Sequence, residues 1–225
     1  MTAADGADPA SSGPPVLAVA DGRATIRLNR PRQHNRLEPS DIVALMAMLE
    51  EIEAAADIRV LVLTGSGKSF SAGYHIGAIS GRGGADRQAE PSFEQLTDRV
   101  ENLRVPTICA LNGSVYGGAT DLALACDFRI GVEGIQMLMP AARLGLHYYK
   151  GGLRRYVTRL GLAAAKKLFL TAATIDAEEM LRIGYLDRVE PAVELAAAVD
   201  TLVEPLAAVA PLAARGMNRA LTEIA

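Results

Sequence analysis

The sequence predicts a mixed α/β fold with a helical C-terminal region. Two apolar runs, residues 58–65 and 107–111, read as buried strands. Each leads through a loop of small residues toward a helix: 66–76 after the first run, 112–118 after the second. The last sixty or so positions carry apolar residues at helical spacing with no further strand run of that strength.

The first elements follow from local signals. Residues 1–15 are Ala, Ser, Gly, Pro and Asp without a periodic apolar pattern, and are expected to be a disordered tail. Residues 16–20 and 24–28, joined by Asp21-Gly22, read as a β-hairpin. A polar loop covers 29–36. Pro39 suits the first position of a helix, whose apolar stripe is Ile42, Leu45, Met46, Leu49 and Ile52. After the strand at 58–64, residues 77–91 are rich in Gly, Ala and charge, and fit either an exposed loop or a lid over the ligand.

The pattern then repeats with variation. A helix is predicted over 92–104, stopped by Val105-Pro106, and another over 119–126. Short strands are predicted at 128–131 and 136–139. Helices follow at 161–171, at 176–183 with Asp176 capping and Glu179 three residues on, at 193–209 and at 211–224. The expected division is a core over 16–160 and a helical region over 161–225.

Composition excludes several classes. Half of the 225 residues are hydrophobic, enough for one sizeable core. Net charge is −3, with no basic stripe, so neither nucleic acid nor an anionic membrane is an expected partner. Cys109 and Cys126 lie in apolar runs and read as buried reduced thiols, which suits a cytoplasmic setting. No metal-ligand spacing, signal peptide or membrane-spanning run is apparent.

The chemistry concentrates in the two loops. Small residues let backbone approach a ligand closely, and a helix start offers unpaired N–H groups at a positive dipole end. Amides aimed at an oxygen, with Asp121 about one turn beyond Gly118, suit an enolate. The plain alternative is a tight turn with an acidic residue in the first helical turn.

Ser71-Ala72-Gly73-Tyr74, Asn112-Gly113 to Gly117-Gly118 and Ala125-Cys126-Asp127, in that order, resemble the crotonase superfamily of enoyl-CoA hydratases and isomerases. The resemblance runs from about Val16 to the C-terminus. It implies a spiral of ββα turns with two roughly perpendicular sheets, and tail helices that meet neighbouring subunits in a homotrimer or hexamer. It implies an acyl-CoA substrate in which coenzyme A is part of the substrate, with no separate cofactor. The oxyanion hole would be the N–H groups of Tyr74 and Gly118. Ala72, Tyr74 and Ile76 would line the adenine side of the CoA site. Lys68, Arg36 and Arg32 are phosphate candidates or ordinary solvated charges.

The same resemblance puts Asp121 where hydratases carry a catalytic Glu and certain isomerases an Asp. The second hydratase carboxylate falls at Ala141, and an alternative family place for it at Tyr149, so two-carboxylate syn-hydration is disfavoured. Tyr148 falls where methylmalonyl-CoA decarboxylase-like members hold a substrate carboxylate. Those members carry a His at the place of Tyr74; here His75 is shifted by one. Tyr148 and Tyr149 would pack at a polar rim, or donate hydrogen bonds to substrate or take a proton; free tyrosine, with a pKa of about 10, acts at neutral pH as a donor more readily than as a base. His75 and His147 are secondary candidates. Isomerisation leads, decarboxylation or C–C cleavage follows, and a silent CoA-ester-binding protein is the third expectation.

Overall fold

The computed structural model describes residues 12–75 and 91–225. Strands β1 (Val16–Ala20) and β2 (Arg23–Leu28) form the expected hairpin, with Asp21 and Gly22 both at positive φ. Of the expected tail, residues 1–11 lie outside the described residues, and Gly13 donates to the Asn29 carbonyl at 2.7 Å. Helix α1 (Pro39–Ala54) starts on Pro39 and a reciprocal Glu38–Asp41 capping box, and buries Ile42, Leu45, Leu49 and Ile52.

Three units then follow the same course. Strand β3 (Val60–Gly65) enters one sheet, β4 (Ser69–Ser71) enters a second, and α2 (Phe93–Glu101) follows. Next come β5 (Thr107–Leu111), β6 (Ser114–Tyr116) and α3 (Gly118–Ala125), then β7 (Phe128–Val132), β8 (Gln136–Leu138) and α4 (Lys150–Leu160). Beyond these lie α5 (Leu162–Thr171), β9 (Ile175–Asp176), α6 (Ala177–Arg182), β10 (Arg188–Glu190), α7 (Leu195–Ala208) and α8 (Pro211–Ile224).

Among the described residues the first sheet has the order β1-β2-β3-β5-β7-β10 and is parallel apart from the β1–β2 hairpin. The second has the order β4-β6-β8-β9, with β8–β9 antiparallel. Strands buried on both faces read as continuous apolar runs, which is why 58–65 and 107–111 stand out. Alternation still sorts their side chains. Val60, Val62, Ile108, Ala110 and Ile130 face Ala198 and Val199 of α7. Leu61, Leu63, Cys109 and Leu111 face the main core, shared with α1, α2 and α3.

Within 161–225, alongside the helices, β9 and β10 join the two sheets. Helix α4 occupies a stretch for which the sequence reading names no element. A Cβ on Gly152 would collide with the ring of Tyr148 and stand 3.0 Å from that of Tyr149. The glycine therefore lets the tyrosines lie on the first turn of a true helix.

Helix α4 also carries the buried charge cluster. Arg155 is 0% exposed and donates to Asp121 through Nε (3.0 Å) and Nη2 (2.8 Å). Its Nη1 reaches Asp98 at 2.7 Å and Glu101 at 2.9 Å, and Nη2 reaches Thr97 at 2.7 Å. Arg154 and, at 3.6 Å, Arg159 complete the pairing of Glu101. Removing one partner of such a set strands the others without water. We expect Arg155→Ala to cost about 3–5 kcal/mol, read as a lower denaturant midpoint at unchanged slope; an unchanged midpoint would mean the cluster does not hold α2, α3 and α4 together.

Candidate functional site

The two strand-to-helix loops meet. A Cβ on Gly73 would stand 2.6 Å from the Tyr116 carbonyl oxygen, 3.1 Å from the Gly118 nitrogen and 3.3 Å from the Gly117 Cα. No side chain fits there, and φ of +89° at Gly73 independently favours glycine. Gly117, at φ +57° and ψ −134°, precedes Gly118 in the same way. A positive-φ glycine thus precedes each expected donor, Tyr74 and Gly118. Neither donor's N–H makes a hydrogen bond among the described residues. Both residues line one cavity of about 360 Å³.

Polar side chains brace these loops from behind. Asn112 accepts from the Gly65 N–H at 3.0 Å and donates to the Gly67 carbonyl at 2.8 Å, tying the first loop to the second. Asn35 donates to the Ser66 and Ser69 carbonyls, both at 2.8 Å. Thr120 donates to the Gly117 carbonyl at 2.6 Å; Tyr156 donates to the Thr120 hydroxyl at 2.6 Å and Tyr185 to the Thr120 carbonyl at 2.9 Å.

The far wall is aromatic and apolar: Phe93, Met139, Pro140, Ala141, Leu146 and the Tyr148–Tyr149 pair. The two phenol rings stack at 4.4 Å between centroids. Ala141 and Tyr149, the two places where the resemblance implies a second carboxylate, both stand on this wall without one.

Asp121 is positioned differently from expectation. It is 0% exposed, does not line the cavity, and is clamped by Arg155. The Tyr149 hydroxyl donates to its Oδ2 from the cavity side. Tyr148 donates to the Tyr149 oxygen at 3.3 Å, and the Thr97 hydroxyl lies 3.1 Å from it. Asp121 itself therefore does not face the cavity; its route to a ligand runs through a phenol. The physical reason is Arg155, which the sequence reading missed. A guanidinium in the second turn of α4 pairs bidentately with the carboxylate and holds it inward.

Electrostatics keep the phenols protonated. Burial pushes the Tyr149 hydroxyl above its ordinary value, and the Asp121 charge pushes it further. Tyr148 and Tyr156 are raised by the same two causes, and Tyr185 by burial and Tyr156. Arg155 loses some basicity to burial, but its hydrogen bonds and attraction to Asp121 outweigh that and raise it overall.

The expected CoA residues are dispersed around the loop mouth. Ala72 lines the cavity and is exposed. Lys68 is exposed. Arg36 pairs with Glu38 at 2.6 Å, and His75 approaches the other Glu38 oxygen at 2.8 Å, so both are engaged beside the loop. His147 lines the cavity. Ile76 and positions 77–90 of the expected lid lie outside the described residues.

A spiral of parallel ββα turns whose loops present two backbone donors at one cavity defines a crotonase-type protein. The residue pattern of the Enoyl-CoA hydratase/isomerase family matches residues 19–224. The chain belongs to that family. It is 30% identical over 209 residues to the short-chain-enoyl-CoA hydratase of Clostridium acetobutylicum, covering 92% of this chain and 80% of that one. It is 33% identical over 210 residues to a probable enoyl-CoA hydratase of Mycobacterium tuberculosis, covering 91% and 81%. The crystal structure of the Bacillus anthracis enoyl-CoA hydratase superposes with a TM-score of 0.85 at 31% identity, covering 93% of this chain and 83% of that one.

The phenol shifts give a testable consequence. Four of the six tyrosines, Tyr148, Tyr149, Tyr156 and Tyr185, hold their protons in the fold beyond the pH of about 10 at which an unfolded chain releases them. The folded state then binds more protons than the unfolded one, so this contribution to stability is intact below pH ~10 and is lost as pH rises above it. Ultraviolet titration should show these four ionising together in one cooperative alkaline unfolding step; independent ionisation of all six near pH ~10 would contradict the burial.

Proposed function

We propose that the protein acts on an acyl-CoA thioester by stabilising its enolate between the N–H groups of Tyr74 and Gly118. The observation that carries this is the contact of Gly73 with residues 116–118, which puts both unbonded amides on one cavity wall. Proton loss at Cα places negative charge on the thioester oxygen. Preorganised amides meet that charge without reorganising, and one such donor is typically worth about 3–4 kcal/mol of barrier. The relatives' names support enoyl-CoA hydration, and the family's description adds isomerisation.

Between the two, we favour isomerisation. Syn-hydration by two carboxylates needs a pair of acids around the attacking water. Ala141 supplies none, Tyr149 supplies a neutral donor, and Asp121 is held away by Arg155. Moving a double bond needs one group to take a proton and return it. Tyr149, oriented by Asp121, would donate a hydrogen bond to the acyl portion or to a bound water. Decarboxylation of a malonyl-type thioester is the second reading, favoured by Tyr148 on the same wall and by needing no base at all. The exposed apolar positions of α8, with Leu212 and Ile224 each 84% exposed, support a homotrimer or hexamer with coenzyme A esters as the small-molecule partner.

Purified protein incubated with 3-enoyl-CoA, crotonyl-CoA and methylmalonyl-CoA should convert the first fastest. Gly118→Pro, which removes one donor N–H, should lower kcat by about 10²–10³-fold. Retained turnover in that variant would mean the donor is misplaced; release of CO2 as the sole activity would favour the second reading.

A further inference from the structure

Isomerisation needs a proton carrier that touches the substrate, and Asp121 does not reach the cavity. We propose that Glu94 is that carrier, an inference that rests on the acyl-CoA reading above. Among the described residues that line the cavity, Glu94 is the only carboxylate. Asp121 and Glu101 nearby are consumed by Arg155, Arg154 and Arg159. Glu94 makes no side-chain hydrogen bond or ion pair among the described residues, and it is only half-buried. An acidic group that is next to the ligand space and uncommitted is what proton transfer requires.

Its position is built rather than incidental. Ser92 caps α2 by accepting from the Gln95 N–H at 3.1 Å, while Gln95 accepts from the Ser92 N–H at 2.7 Å. That capping box fixes Phe93 and Glu94 in the first helical turn. The Phe93 ring stands 3.0 Å from where a Cβ on Gly118 would be, so the turn abuts the oxyanion donor. The Glu94 carbonyl accepts from the Thr97 hydroxyl at 2.9 Å, the same hydroxyl that lies 3.1 Å from Tyr149. Its Oε1 lies 3.6 Å from where a Cβ on Gly151 would stand, beside the first turn of α4 and the tyrosine pair. Residues 93 and 94 thus span the cavity from one donor amide to the phenols.

The chemistry balances without any co-reactant. The Glu94 carboxylate takes a proton from Cα of a 3-enoyl thioester. The C–H electron pair becomes the enolate, with negative charge on the thioester oxygen between Tyr74 and Gly118. As the carbonyl re-forms, the electrons shift to a Cα=Cβ bond. The old double bond's electrons take the proton back from the Glu94 carboxyl at Cγ, and the carboxylate is regenerated.

The test compares the full chain with Glu94→Gln and Glu94→Asp. It measures 3-enoyl-CoA turnover, exchange of Cα protons in D2O by NMR, and CoA-ester affinity by calorimetry. Glu94→Gln should lose about 10²–10⁴-fold in kcat and lose Cα exchange, with affinity unchanged; Glu94→Asp should recover part of both. If Glu94→Gln keeps wild-type turnover or exchange, the inference is wrong while the acyl-CoA reading stands. If it loses affinity along with turnover, Glu94 shapes the cavity and the inference is again wrong. A wild-type chain that binds the esters yet neither exchanges nor converts them overturns the acyl-CoA reading itself, and this inference with it.

Discussion

Gly73 packed directly on residues 116–118 is the contact on which the site depends. It joins the second sheet's first two strands at their ends, and it is backbone against backbone, so no rotamer can loosen it. Close approach of this kind is available only to residues without a Cβ, and it costs conformational entropy. The parallel pairing of β3 with β5 and the Asn112 bridge between the loops repay that cost by fixing both chains before any ligand arrives. Preorganisation of this sort lets two amides act on a developing charge without a reorganisation penalty.

Behind the loops sits a second constraint of a different nature. Three carboxylates, Asp98, Glu101 and Asp121, meet three guanidiniums, Arg154, Arg155 and Arg159, around a fully buried centre. Formal charge cancels across the set. Such a cluster contributes little net stability over an apolar core of equal volume, yet breaking it is expensive. Its effect on the site is positional: it holds Asp121 at the base of α3 and aims its free lone pairs at Tyr149. Negative charge behind a phenol keeps that phenol protonated and a donor. Among the described residues the cavity therefore presents neutral donors on its tyrosine wall, amide donors on its loop wall, and one acid between them at Glu94.

How much of this was legible in the sequence depended on whether the cause was local. Buried-on-both-faces strands declare themselves as apolar runs, and both strand-to-helix loops declare themselves by their glycines. Tyr148 and Tyr149 were found as neighbours of a cavity because they fall in a motif position. Asp121 was placed on the right helix but without its buried guanidinium partner. Its partner Arg155 lies 34 positions along the chain, and Asp98 lies 57 positions from that same arginine. No periodicity or spacing encodes a contact made by three helices from separate turns of a spiral. Glu94 was hidden for the opposite reason, since an acid in the first turn of a capped helix is ordinary dipole chemistry and acquires meaning only when the fold brings α3 and α4 beside it. Helix α4 carries Gly152 in its first turn, where the small size serves the tyrosine rings.

The most direct measurement is the carbonyl stretch of a bound thioester. Isotope-edited infrared difference spectra of ¹³C1-labelled crotonyl-CoA on the purified protein should show the C=O band displaced to lower frequency than in water, because two amide donors polarise the bond, and Gly118→Pro should return it toward the solution position. A bound ester whose carbonyl absorbs at its solution frequency would contradict the convergence of Tyr74 and Gly118 on one oxygen.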